Sequence, residues 1–208
     1  MTRPPLTRER ILDAAMAFAD ERGVDALKMR ELASSLGYEA MALYRHLKNK
    51  EAIVEGLLER VLDEIEPASP DGDWRPAIRR SAVSAYEALS RHPWATRLLL
   101  SPLPIHLRRL YYLEALLARL KGAGLSQAQV FHAYHVLDAY IFGYGLWQQG
   151  HMLTGPRRAE LEKLAREATI DADFPNLAEH RDLHFTEDPD LDADGFEVGL
   201  DLLLEALG

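Results

Sequence analysis

The chain of 208 residues is long enough for one compact domain or for a small domain attached to a larger one. Its 48% hydrophobic and 27% charged composition excludes a disordered or membrane-embedded chain, and the absence of cysteine removes disulfides, thiolate nucleophiles and cysteine-ligated metal sites together. The net charge of −9 is unevenly spread: Lys and Arg outnumber Asp and Glu over residues 1–50, whereas residues 159–208 hold fifteen acids against Lys163, Arg166 and Arg181, a separation that suits one end against phosphates and the other in water.

The amino terminus leads into charged residues, not an apolar signal core, and no apolar run approaches the roughly 20 residues of a membrane span. A cytoplasmic protein with no membrane partner is the expectation, in keeping with the lack of cysteine.

Apolar residues recur at helical spacing almost throughout, so the fold class is all-α. The first helix runs from about Thr7 to Arg22, with Ile11, Ala15 and Phe18 on one stripe, Leu12 and Ala19 beside it, and Gly23 as its stop. A second short helix spans about Arg30–Leu36 and ends at Gly37; a third spans Glu39–Leu47. Asn49 then caps a fourth, about Lys50–Ile65. The turn-rich Pro67-Ala68-Ser69-Pro70-Asp71-Gly72-Asp73 marks a boundary. The spacing therefore predicts a three-helix domain over 1–50, a connecting helix over 50–66 and a larger helical domain over 67–208.

Within that larger domain the predicted helices are Trp74–Arg91, a short one near Trp94–Leu100, Ile105–Gly122, and Ser126–Gln149. The last is the least polar and reads as a buried central helix. Gly155-Pro156 opens a charged helix to about Ala168, and the acidic segment 170–192, with Pro175 and Pro189, reads as loop with at most a short helical turn. The closing helix, Asp192–Leu207, carries Phe196, Leu200, Leu203, Leu204 and Leu207 on one stripe. Such a stripe is covered either by the chain's own core or by a second subunit, and the five residues are candidates for a homodimer interface.

The most informative block is Met29 to Leu47. Two short helices are joined by a tight turn: Ala33 is small where the helices must approach, Gly37 relieves the turn, and Leu36, Leu43 and Leu47 pack the pair. That is a helix-turn-helix able to place its second helix in a major groove. Many helical hairpins share these features; the basic and aromatic Tyr44, Arg45, His46, Lys48 and Lys50 beside them point to nucleic acid.

With Ile11-Leu12-Asp13-Ala14-Ala15, Phe18, Gly23, Arg30-Glu31-Leu32-Ala33, Leu36-Gly37, Leu43-Tyr44-Arg45-His46-Leu47 and Lys50-Glu51 in place, the stretch Ile11–Ile53 resembles the DNA-binding domain of the tetracycline-repressor family. The apolar helix after Ser126 and the closing Phe196–Leu203 resemble, more loosely, that family's C-terminal domain. The resemblance implies a ligand-responsive repressor, not an enzyme. It would bind a palindromic double-stranded DNA operator as a homodimer, be released by a small-molecule inducer, and need no cofactor. Two positions depart from the family pattern: Lys28-Met29 stands where a Ser or Thr usually precedes the second helix, and Glu39 opens the third in place of a hydroxyl cap.

The resemblance, together with position on the third helix, turns Ala40, Met41, Ala42, Tyr44, Arg45 and His46 toward DNA, with Arg30 reaching from the second helix and Lys48 and Lys50 following. Arg45 is the candidate for base reading, because a guanidinium donates two bonds to guanine O6 and N7. Tyr44, His46 and Lys50 suit phosphate or sugar, His46 having the alternative of packing on the fourth helix. Met41 and the alanines suit thymine methyls. On the helices that the family packs around a ligand stand His92, Trp94, Tyr111, Tyr112, Phe131, His132, Tyr134, His135, Asp138, Phe142 and Trp147, aromatic walls with a few polar groups; the alternative for each is plain core. His132, His135 and Asp138 spread over about 120° of helix and no His-Glu-x-x-His pattern occurs, so no metal is expected. Two other readings stand beside the ligand-responsive repressor: a DNA-binding regulator without a small-molecule ligand, and a helical-bundle enzyme using those three side chains.

Overall fold

The computed structural model describes residues 4–101, 106–151, 160, 163–164, 167, 173–183 and 195–207. All regular structure among them is helical. Helix α1 (Arg8–Arg22) starts where the Thr7 hydroxyl accepts a bond from Arg10 N at 3.2 Å, and it stops at Gly23, whose φ of 80° few other residues adopt. A single 3₁₀ turn (Val24–Ala26) leads to α2 (Met29–Ser35). The exit from α2 is closed by Gly37 N to Ser34 O at 2.8 Å and Tyr38 N to Ala33 O at 2.7 Å, a wrap that requires the positive φ of 72° at Gly37.

Helix α3 (Ala40–Leu43) is shorter than expected. After Leu43 the backbone tightens, with His46 N bonded to Leu43 O at 2.9 Å, so Tyr44–His46 form turns and not a further α-helical stretch. Asn49 Oδ1 then accepts from Ala52 N at 2.9 Å and starts α4 (Lys50–Asp63) as anticipated. One core serves all of these elements: Ile11, Leu12, Ala15, Ala19, Leu27, Leu32, Ala33, Leu43, Leu47, Ile53 and Leu57 are buried together. Burying each large aliphatic side chain contributes about 1.5–3 kcal/mol before ordering costs. The crossing of α4 on α1 is close because Gly56 has no side chain; a Cβ there would stand 3.0 Å from Leu12 Cδ2.

Helices α5 (Trp74–Arg91), capped by Asp73, and α6 (Pro93–Leu99), with proline in its first turn, follow. Then come α7 (Leu107–Gly122) and α8 (Gln127–His151). Helix α5 packs against α7 and α6, and α4 against α5, α6 and α7, while α6 also reaches α1. The chain divides into two compact units, Met1–Leu146 and Trp147–Gly208.

Helix α8 is not buried all round. Val130, Ala133, Leu137 and Ile141 form its covered stripe, but Phe131 and Val136 on another face are 59% and 48% exposed. Its low polarity comes from two apolar faces of which only one meets the core. In the second unit, α9 (Pro175–Leu183) occupies part of the segment expected to be loop; its proline sits at the first helical position, where the missing N–H costs nothing. Helix α10 (Gly195–Ala206) closes the fold. The expected helix after Gly155 falls largely outside the described residues, of which 160, 163, 164 and 167 are helical. Among the described residues no helix is long and apolar enough to cross a membrane.

Candidate functional site

The helix-turn-helix divides its side chains cleanly. Leu32, Ala33, Leu43 and Leu47 lock α2 and α3 into the core, with Leu36, Tyr38 and Ala40 packed partly against it. Met41 is 69% exposed, and Arg30, Tyr44, Arg45, His46 and Lys48 are exposed with it. Ala40 and Ala42 are half-buried, and Ala40 also packs on the core, which limits the surface it offers. The Lys50 ammonium donates to the Asp25 carbonyl at 3.0 Å, fixing it beside the 3₁₀ turn. His46 stays exposed and does not adopt the alternative of packing on α4. Neither Lys28 nor Glu39 caps its helix through a side chain.

The helix-turn-helix head is tied to later helices by a polar cluster in which His92 is buried and its carboxylate partners are partly exposed. His92, between α5 and α6, places Nδ1 2.7 Å from Asp20 Oδ1 of α1 and Nε2 3.1 Å from Glu64 Oε1 at the end of α4. Trp94 Nε1 donates to the same Asp20 oxygen at 2.8 Å, and Arg91 donates to Glu64 Oε2 through Nε and Nη2 at 3.0 and 2.8 Å. Burial pushes the Glu64 carboxyl up, but the bonds from Arg91 and His92 outweigh it and hold the group below its ordinary range. Four elements thus meet on two carboxylates.

A cavity lies between α4, α5, α6, α7 and α8. Leu62, Ile65, Ala85, Leu89, Leu99, Ile141 and Phe142 form its apolar walls, and Arg109, Tyr112 and Asp138 its polar end. Its free space is that of about one water molecule. Arg109 Nη1 donates to the Leu99 carbonyl at 2.6 Å, its guanidinium lies 4.8 Å from the Phe142 ring centroid, and Nη2 stands 3.4 Å from Asp138 Oδ2. Burial pushes the Asp138 carboxyl up against the attraction of Arg109; burial, then the Asp138 charge, push the Tyr112 phenol up, its hydrogen bond with Ser81 notwithstanding.

The helix-turn-helix and the helices that follow it along the chain match known proteins over nearly the whole length. Residues 11–57 match the family described as bacterial regulatory proteins, tetR family, and residues 66–208 match the tetracyclin repressor-like C-terminal domain. The chain belongs to the tetracycline-repressor family. It is 30% identical to DrrR1, an HTH-type transcriptional repressor of Streptomyces coeruleorubidus, over 99% of this chain and 78% of that protein. It is 32% identical to the class D tetracycline repressor of Escherichia coli, over 98% of this chain and 94% of that one. The structure of Streptomyces coelicolor ActR in complex with (S)-DNPA superposes with a TM-score of 0.71 at 25% identity, covering 98% of each chain. Members of the tetracycline-repressor family are DNA-binding transcriptional regulators and not enzymes, which sets the helical-bundle enzyme aside and makes this chain a transcriptional repressor in general role.

Within this tetracycline-repressor fold the expected pocket residues scatter. Tyr112, Asp138 and Phe142 do line the cavity. His92 and Trp94 do not, because Asp20 and Glu64 hold them in the cluster between head and body. Phe131, His132 and His135 are exposed on α8, where the His135 ring meets the Phe131 carbonyl at 2.7 Å; Tyr111 on α7 is exposed as well. Tyr134 is half-buried near Arg109, and Trp147 is 49% exposed. Among the described residues no group of three His, Cys, Asp or Glu stands close enough to hold a metal. Sequence reading missed the apolar walls Leu62, Ile65, Ala85, Leu89, Leu99 and Ile141 and, at the polar end, Arg109. Its signal was available: it lies three before Tyr112 and seven before Leu116, on the stripe that α7 turns inward, where a charge needs a partner.

The closing helix also needs a correction. Phe196, Leu200 and Leu204 are buried within the single chain, and Leu203 and Leu207 are half-buried, so the stripe as a whole is not a free face. The exposed apolar residues of α10 are Val198 and Leu202, at 50% and 64%.

Proposed function

We propose that this repressor binds a palindromic operator as a homodimer through the head over residues 1–50, and that a small-molecule inducer entering the cavity of the body over 67–208 releases it. One observation carries the reading. Leu62 and Ile65, which wall the cavity, stand at the end of α4, the helix whose other end packs on the head, and Leu99 walls it from α6, which is tied to α1 through His92 and Trp94. A cavity with room for about one water admits a larger molecule only if a wall moves. Two of the walls that can move are attached to the reading head. The inducer therefore acts by binding better to the displaced arrangement than to the DNA-competent one.

On the DNA side, Arg45 reads a base, Met41 and the alanines meet thymine methyls, and Arg30, Tyr44, His46, Lys48 and Lys50 hold phosphate or sugar; the exposure of Met41 and Arg45 supports this. The exposed apolar side chains of α8 (Phe131, Val136) and of α10 (Val198, Leu202) support a homodimer, since each is a face that a second copy would cover. The helical character of the described residues and the lack of a spanning helix among them are in keeping with a cytoplasmic site of action.

The test is fluorescence anisotropy with palindromic fragments from beside its own gene, followed by release on addition of small molecules. Binding to no such fragment above non-specific background sinks the operator reading. A regulator with no small-molecule effector is the second reading, and the tightness of the cavity favours it. A thermal-shift screen in which no compound both stabilises the protein and releases DNA decides for that alternative.

A further inference from the structure

The geometry points to an effector of no net charge that carries a hydrogen-bond donor beside an acceptor on an otherwise apolar body, its donor on Asp138 and its acceptor on Arg109. This rests on the reading of the cavity as the effector site. Among the residues that line the cavity, Arg109 and Asp138 are the charged ones, and their charges cancel. Arg109 is fixed from two sides, by the Leu99 carbonyl at 2.6 Å and the Phe142 ring at 4.8 Å. Its contact with Asp138 is long at 3.4 Å, beyond the distance of a charge-assisted bond, and among the described residues Asp138 has no shorter one. Burial without full pairing is what raises the Asp138 carboxyl.

The pair is thus close enough to balance in charge and too far apart to satisfy its hydrogen bonds. An edge that presents N–H or O–H next to C=O bridges it, replacing one poor contact by two good ones. An anion of the same shape takes Arg109 but sets a second negative charge against Asp138, and a cation does the reverse against Arg109; neither arrangement is repaid among walls of Leu62, Ile65, Leu89, Leu99 and Ile141. Selectivity then comes from what the pair rejects as much as from what it holds.

The test uses three molecules of one shape and different charge, 2-naphthamide, 2-naphthoate and 2-naphthamidinium, titrated calorimetrically into the full chain at neutral pH. The amide binds the native chain more tightly than either ion by about tenfold or more. Asp138→Asn moves the preference toward naphthoate by a similar factor, and Arg109→Met moves it toward the amidinium. Should one variant lose its helical circular dichroism, the other carries the test. An ion that binds the native chain as tightly as the amide overturns the proposal, as does a preference that neither variant moves. Leu89→Trp separates this failure from failure of the cavity reading: loss of binding in that variant, with its helical circular dichroism retained, keeps the cavity as the site even where the charge preference is wrong. Binding indifferent to Leu89→Trp, or no binding of any of the three, overturns the cavity reading and the proposal together.

Discussion

The reading head and the cavity use opposite means. The head gathers its candidate contacts within twenty-one positions, Arg30 to Lys50, and exposes most of them, with Met41 at 69% and Tyr44 at 42%. The cavity draws on α4, α5, α6, α7 and α8, from Leu62 to Phe142, and buries what it uses. A surface that meets a large rigid partner has to be made before the partner arrives, so its side chains cost folding little and can be exchanged without cost to the core. A cavity for a small molecule is cut from the core itself, and every change in it is also a change in packing. Substitutions in the head should therefore separate function from stability, and substitutions toward the body should not.

Arg45→Ala is the strongest test of the first half of that statement. A bidentate contact to guanine is worth about 1–3 kcal/mol, and a dimer loses it twice, so specific affinity should fall by about a hundredfold or more, measured by anisotropy at fixed salt. The unfolding free energy should stay within about 0.5 kcal/mol of the native value, because Arg45 is exposed. A large loss of stability, or unchanged specific affinity, would break the contrast at its clearest point.

His92→Ala tests the junction between the two regions. The ring's contacts to Asp20 and Glu64 are of the kind worth about 1.5–3 kcal/mol when one partner is charged. Both carboxylates keep about a third of their surface in water, 32% and 36%, and rehydrate when the ring is gone. The net loss should be about 1–2 kcal/mol, seen by urea unfolding, and DNA affinity should weaken along with it, since α1 and α4 lose a common anchor. A variant whose DNA affinity falls while its stability does not would mean that His92 touches DNA function by another route.

Gly37→Ala returns to the head's framework. The wrap after α2 needs φ of 72°, which costs an L-residue about 1 kcal/mol, and the penalty should register in stability without altering which bases are preferred. A changed base preference at constant stability would show that the turn, and not only the exposed side chains, reads DNA.

These contrasts also explain what the sequence disclosed. The head was legible because its determinants are local: Asn49 is a cap, Gly23 and Gly37 are stops, and Ala33, Leu43 and Leu47 are the seam, each found where spacing placed it, with Leu36 only partly buried. Helix α3 was read as too long because Tyr44, Arg45 and His46 are compatible with a helix, and only the packing of Leu43 and Leu47 tightens the backbone there. The cavity was half legible. Tyr112, Asp138 and Phe142 stood in the aromatic inventory, but His92 was counted among them because its partners, Asp20 and Glu64, lie 72 and 28 residues away. Local spacing says that a histidine is buried; it does not say by what. Arg109 is hard to find for the converse reason: a charge suits a surface, yet this one lies on an inward stripe.

The smallest expected effect sets the junction against the cavity through pH. The Glu64 carboxyl is held below its ordinary value by Arg91 and His92 in spite of burial, so its bonds stabilise the fold above pH 4.5 and are lost as pH falls through the lowered value. Asp138 is shifted the other way by burial. Its charge costs stability at neutral pH, and that cost is relieved as pH falls through its raised value. On acidification the two carboxyls should thus act in opposite directions, Asp138 adding stability and Glu64 losing it. Thermal melts of the native chain and of Glu64→Gln from pH 6 to pH 3 should differ by a constant amount down to about 4.5 and converge below it. A difference that persists to pH 3 would remove Glu64 as the acid-sensitive member of the junction.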